Sequence, residues 1–160
     1  MHRDFYVEAV KLKGKFVVFA MDGQRLALPV SEVERVVRAV EITPLPSAPE
    51  VVMGVINHQG RILPVFDLRR RLRMLEREID PDDHILIART QRCSVALVVD
   101  SVTGVVESGE EGAIPTEELT AGVEQIEGVL KRPDGLIFIH DLSKFLSPQE
   151  AGQLEGALAS

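Results

Sequence analysis

The chain repeats itself, and that repetition limits what it can fold into more than any other feature. Residues 28–37 and 97–106 share the frame Leu-x-Val-x-x-Val-x-x-Val-Val at an offset of 69 positions. A second pair of echoes follows in the same order. Gly54-Val55-Ile56 leads to Asp67-Leu68 and Leu72, and Gly128-Val129-Leu130 leads to Asp141-Leu142 and Leu146, with 13 positions from Gly to Asp in both. The offset has by then grown to 74, so the second copy carries about five further residues between its echoes. Two matched blocks in one order predict two similar subdomains. Such an architecture has several faces and gives no hint of a reaction.

Within each copy the apolar runs have strand length and turn residues bound them. Lys15–Met21 and Arg25–Val30 flank Asp22-Gly23, a dipeptide that supplies positive φ in a tight hairpin. Pro29 cannot donate to a ladder, which predicts an edge strand or a bulge. Val33–Val40 reads as a further valine-rich strand, and Pro44, Pro46 and Pro49 impose an extended connector. Glu50–Met53 has room for one helical turn. Gly54–Asn57 and Arg61–Phe66 predict a hairpin around His58-Gln59-Gly60, and Asp67 predicts the N-cap of a short helix through Leu72. Residues 76–83, charged and containing Pro81, read as a linker between halves.

The second copy supplies strands at His84–Ala88, Ser94–Val99, Val102–Val106, Ile126–Leu130 and Leu136–His140, then Asp141 as a second cap. Glu118–Gln125, where this copy is longer, receives no assignment. Ser147-Pro148-Gln149-Glu150 is a capping-box pattern with proline at the first helical position, and the following helix puts Ala151, Leu154, Ala157 and Leu158 on one stripe. The expected fold class is mostly β: two small five-stranded barrels with short helices and a C-terminal helix. The expected division is a leader over 1–13, a body over 14–150 split at approximately 14–76 and 84–146, and a C-terminal helix over 147–160. An apolar seam shared by the halves would add the burial that small barrels lack.

Charge and composition narrow the function classes. A net charge of −7 opposes nucleic-acid binding, which draws its affinity from Lys and Arg. The one basic run, Arg69-Arg70-Arg71 with Arg73, reads as the solvated side of a short helix. The lone Cys93 excludes an internal disulfide, fits a reducing compartment and reads as a small buried hydrophobe. Neither a signal peptide nor a spanning segment is expected, so no membrane insertion and a cytoplasmic location are.

No catalytic pattern emerges. A Gly-rich phosphate loop and a Gly-x-Ser-x-Gly elbow are both missing, and His2, His58, His84 and His140 do not have metal-ligand spacing. His140 matches Phe66 in the first copy and is expected to fill that slot. Asp67 and Asp141 read as caps rather than as a carboxylate pair. The expectation is therefore a protein that is not an enzyme, with no catalytic residue, cofactor or metal.

Candidate contact residues remain. The turn Asn57-His58-Gln59-Gly60 supports two readings, a hairpin tip that meets backbone demands and a recognition loop. Along the valine-rich strand, alternation turns at least one of Val36 and Val37 away from the local core. The candidate partner-binding set is Val33, Arg35 and Val37, with Val102 and Val105 in the second copy, and Asn57, His58, Gln59 and Gly60.

Val33–Val37, the connector Ile42–Pro49 and the run Gly54–Arg69 together resemble the CheW family of chemotaxis coupling proteins. The resemblance covers roughly 14–150 and is most specific over 42–72. It implies two SH3-like five-stranded barrels related by a pseudo-two-fold, in a freestanding adaptor. It also implies two partners: the regulatory domain of a CheA-type histidine kinase, itself CheW-like, and the cytoplasmic tip of a chemoreceptor. Coupling in the family is by contact, and barrel ends pair into rings. Two positions depart from the family pattern, which usually has Arg where Gln59 stands and commonly an acid where Arg35 stands. These departures suggest a divergent pathway such as a gliding or pilus-type system. The alternatives are a structural or decoy component that binds without coupling and, remotely, a small ligand-binding barrel or enzyme.

Overall fold

The structure is a computed structural model, described for residues 13–90, 93–109, 112–115 and 126–159. Nearly all of the leader and the unassigned stretch Glu118–Gln125 lie outside the described residues. Eleven strands are described: β1 (Lys15–Met21), β2 (Gln24–Pro29), β3 (Val33–Arg38), β4 (Val52–His58), β5 (Arg61–Phe66), β6 (His84–Arg89), β7 (Ser94–Val99), β8 (Ser101–Glu107), β9 (Ile114–Pro115), β10 (Ile126–Arg132) and β11 (Gly135–His140). Two helices accompany them, α1 (Leu68–Arg71) and α2 (Pro148–Ala159), with 3-10 turns at Val30–Glu32 and Leu142–Lys144.

The strands form two sheets, in the orders β8-β1-β2-β11-β10-β9 and β3-β6-β7-β5-β4. Under the repeat offsets β1 corresponds to β6, β2 to β7, β3 to β8, β4 to β10 and β5 to β11. Each sheet is therefore a hairpin from one copy completed by strands from the other. The registers agree residue by residue. The parallel pair of β5 and β7 sets Val65 opposite Ala96, and that of β11 and β2 sets Ile139 opposite Ala27, the equivalent positions. β4 slips register between Val52 and Gly54, and β10 slips between Ile126 and Gly128.

This corrects the expected split at 76/84. Among the described residues, one compact unit holds those up to Glu32 and those from Val102 to Lys144, and the other holds those from Val33 to Ser101 and from Phe145 onward. The local chain explains the exchange. β1 and β2 close on Asp22-Gly23 with φ of 50° and 80°, the left-handed pair of a two-residue hairpin. Val30–Glu32 has no positive φ, and only Asp100 separates β7 from β8. Neither link can fold its strand back into a hairpin, so the chain crosses to the other sheet.

Each sheet curls around its own core. In the first unit Phe16, Val18, Ala27, Leu130, Ile137 and Ile139 cluster with Ala113, and Val106 of the end strand β8 packs against them. In the second, Ile56, Leu63, Val65, Ile85, Ile87 and Ala96 cluster, joined by Val37 from one end strand and Met53 from the other. Side chains from both ends of a sheet meet in one cluster only if the sheet is rolled. Aliphatic residues dominate both cores, as expected of a chain that is 4% aromatic.

Several local expectations change. β2 is an interior strand, and Pro29 ends it beyond the three residues that pair with β11. Residues 50 and 51 form a turn rather than a helical one, closed by the Val52 N–H on the Pro49 carbonyl at 2.9 Å. Residues 76–83 lie inside the second unit and do not link two halves. Cys93 is exposed, because it sits in the turn before β7, where its N–H bonds the Thr90 hydroxyl. Leu158 is exposed in the last turn of α2, while Leu154 and Ala157 are buried. Gly54 is confined for a specific reason: its φ is 155°, and a Cβ there would meet the Thr43 carbonyl oxygen at 2.2 Å.

Candidate partner-binding surface

The predicted hairpin forms as expected and divides its four turn residues by role. His58 pairs with Arg61, leaving Gln59 and Gly60 as a two-residue loop with φ of 53° and 83°. The Asn57 side chain accepts the Gly60 N–H at 2.9 Å. Asn57 and Gly60 are thus committed to the turn, while the Gln59 side chain projects from an exposed position.

Strand β3 presents the other candidates of this unit. Val33 and Val37 are half-buried, Val37 against the core. Arg35 and Arg38 are exposed, and Val36 between them is 38% exposed. Val102 and Val105 belong to β8 in the other unit, where Val102 is half-buried and Val105 is 58% exposed.

Sequence reasoning missed the polar cluster that ties β3 to the hairpin. Glu34 accepts the Ser94 hydroxyl at 2.5 Å and Arg61 Nη1 at 3.2 Å, and Arg89 lies 3.8 Å away. Arg61 also donates to Ser94 at 2.6 Å. The Ser94 hydroxyl, then Arg61 and the Arg89 charge, outweigh burial and hold Glu34 below the usual carboxylate range. These partners are 27 to 60 positions apart, so no local pattern announces them. Arg61, directly after the turn, was the available hint.

The basic run 69–71 is only partly solvated: Arg70 is exposed, but all three arginines are paired. Arg69 is buried and donates to Asp100 at 2.6 Å and to the Leu75 carbonyl. Arg70 meets Glu50 and Glu76, and Arg71 grips both oxygens of Glu150 on α2. Arg77 bonds Asp83 twice, at 2.7 and 3.0 Å, and reaches Asp100 as well. Burial pushes Asp83 up, but Arg77 and the Asp80 N–H pull harder and hold it low. The same bonds raise Arg77 further above its ordinary value. Arg69, Arg70, Glu76, Arg77, Asp83 and Asp100 line a cleft of about 220 Å³ whose charges are largely spent on one another. Among the described residues, no three His, Cys, Asp or Glu side chains converge as metal ligands.

Both caps form. Asp67 accepts the Arg70 N–H at 3.2 Å, and Asp141 accepts the Ser143 N–H at 3.0 Å. His140 fills the slot of Phe66, 1% exposed, with burial pushing its pKa down to about 4. No helix among the described residues is long and apolar enough to cross a membrane.

Comparison with known proteins places this geometry. The chain is 34% identical over 128 residues to the chemotaxis protein CheW of Thermotoga maritima, covering 80% of this chain and 84% of that one. It is 38% identical over 90 residues to protein FrzA of Myxococcus xanthus, 56% of each chain. The crystal structure of the scaffolding protein TtCheW from Thermoanaerobacter tengcongensis superimposes with a TM-score of 0.78 at 31% identity, over 86% of this chain and 95% of that one. The family model for the CheW-like domain matches residues 15–150. That span runs from the first residue of β1 into α2, so the whole interleaved architecture is shared, and the chain belongs to the CheW-like family of chemotaxis scaffold proteins.

Proposed function

We propose that this chain is a cytoplasmic chemotaxis adaptor that couples a chemoreceptor to a CheA-type histidine kinase by contact, with no turnover of substrate. The family match across both sheet units carries the reading. The kinase regulatory domain and the receptor tip are the partners. The contact residues are Val33, Arg35 and Val37 on β3, the hairpin residues His58 and Gln59 held in place by Asn57 and Gly60, and Val102 and Val105 on β8. The fold leaves the Gln59 and Arg35 side chains exposed, which suits them to selecting a partner. Titration of the purified chain with the cognate kinase regulatory domain and a receptor-tip hairpin tests the reading. Saturable binding to both is expected, and binding to neither overturns it.

The departures at Gln59 and Arg35 point to a divergent pathway. Both side chains are exposed, so replacing them changes the surface and leaves the cores intact. The double variant Q59R/R35E is expected to shift preference toward an ordinary chemotaxis kinase domain by roughly tenfold in a competition assay. An unchanged preference removes these two positions from partner choice.

A further inference from the structure

The tip of the β4–β5 hairpin overhangs its sheet. β5 pairs with β7 at Val65 and Phe66, and β4 is bridged to Thr43 at Val55. The last buried residues toward the tip are Ile56 and Leu63. Residues 57–62 lie beyond them, and among the described residues only Arg61 of these six hydrogen-bonds outside the hairpin. Arg61 donates to Ser94 at 2.6 Å and to Glu34 at 3.2 Å, and the Ser94 hydroxyl donates to Glu34 at 2.5 Å. The three form a closed triangle across β5, β7 and β3. Glu34 reaches it because β3 bulges between Val33 and Arg35, which turns the extra residue out of the ladder. The triangle is not needed to make the turn, which Asn57 and Gly60 already close. The other sheet holds its hairpin with unlike residues. Arg25, at the repeat position of Ser94, grips both oxygens of Asp134 in the β10–β11 turn at 3.0 and 3.2 Å, and Arg132 donates to the Glu107 carbonyl on β8.

We infer that Ser94 and Glu34 are positioning residues: through Arg61 they fix the overhanging tip, and with it Gln59, against β3 in the geometry that the kinase regulatory domain reads. A two-stranded ribbon without further neighbours twists strongly and is marginally ordered on its own. Two bonds from one planar guanidinium set both the place and the direction of the strand that carries it. The tip is then ordered before the partner arrives, so binding does not have to supply that ordering. Ser94 does not act by touching a partner, because it is 6% exposed. Its effect reaches the surface only through Arg61 and Glu34.

The inference rests on the adaptor reading, and one experiment separates them. The intact chain and the variants S94A, E34Q and S94T, each also combined with Q59G, are titrated with the cognate kinase regulatory domain. Glycine suits position 59 because φ is 53° there. Amide exchange at residues 59 and 60 is followed in the free proteins. Thermal midpoints check that each variant folds, and E34Q at the outer corner of the triangle carries the test if S94A does not. Expected for S94A and E34Q is a loss of affinity of about three- to tenfold with faster exchange at the tip, while S94T, which keeps the hydroxyl, stays close to wild type. In the Q59G background the same substitutions cost less than about twofold, because the side chain they position is gone. A general weakening of the sheet costs the same in both backgrounds, so an equal loss overturns the inference. Binding of S94A and E34Q within about twofold of wild type, or unchanged exchange at the tip, also overturns it. In each of these cases the adaptor reading stands. If the wild type does not bind the kinase domain, both fall.

Discussion

His140 stands in one sheet where Phe66 stands in the other, opposite Ile126 as Phe66 is opposite Val52. A titratable ring in an aliphatic slot carries a pH cost. The unfolded chain takes up the proton near pH 6.5, while the folded chain refuses it until about pH 4. A depressed histidine pKa makes the folded state lose stability as pH falls across that window, by up to roughly 3 kcal/mol. The carboxylates held low at Glu34, Asp83 and Glu150 act at lower pH and in the same way in a variant. His140→Phe is therefore expected to gain stability relative to wild type as pH is lowered from 7 to 5, in urea unfolding at each pH. Parallel pH profiles would show that the imidazole is already protonated in the fold, or has water beside it. Matching the two copies was enough to place this residue in the sequence, but its burial to 1% exposure came only with the packing.

At the scale of elements, local signals were legible where the backbone itself sets the rule. Asp22-Gly23 dictated a hairpin, Asp67 a cap, and Ser147-Pro148-Gln149-Glu150 a capping box. That box closes as written, with the Ser147 N–H on Glu150 at 2.9 Å and the Glu150 N–H on the Ser147 hydroxyl at 3.1 Å. What the local pattern lacked was the partner across space. Glu150 is also the acceptor for Arg71, 79 positions away, and Gln153 donates to the Ser47 carbonyl. α2 is thus docked through the Arg71–Glu150 ion pair, the Gln153 hydrogen bond and the buried Leu154 and Ala157. Leu154→Ala should cost about 2–4 kcal/mol by urea unfolding, from lost burial and a residual cavity. Leu158→Ala, at 44% exposure, should cost under about 0.5 kcal/mol. Equal costs would mean that the stripe packs as its 3.6-residue period alone suggests, and that the described docking is wrong. Arg69–Arg71 taught the opposite lesson: a run of like charge invited a solvated reading because its acids, Glu50, Asp100 and Glu150, are scattered along the sequence.

For the molecule as a whole, the duplication was legible but its geometry was not. Repeats in a sequence say that two units exist, without saying which segments build each. That depended on two links too poor in turn geometry to reverse the chain, Val30–Glu32 and Asp100. The resulting exchange makes each sheet depend on both copies, so the two end strands β3 and β8 are displayed on units that each need the full chain. In the proposed adaptor, Val33, Arg35 and Val37 on β3 and Val102 and Val105 on β8 are what the partners meet. Receptor-controlled autophosphorylation of the cognate kinase, reconstituted with and without this chain, tests that claim most directly. The account predicts that adding the chain raises kinase output and makes it respond to receptor ligand. Output that falls, or stays deaf to the receptor while binding persists, would contradict it and mark the chain as a decoy.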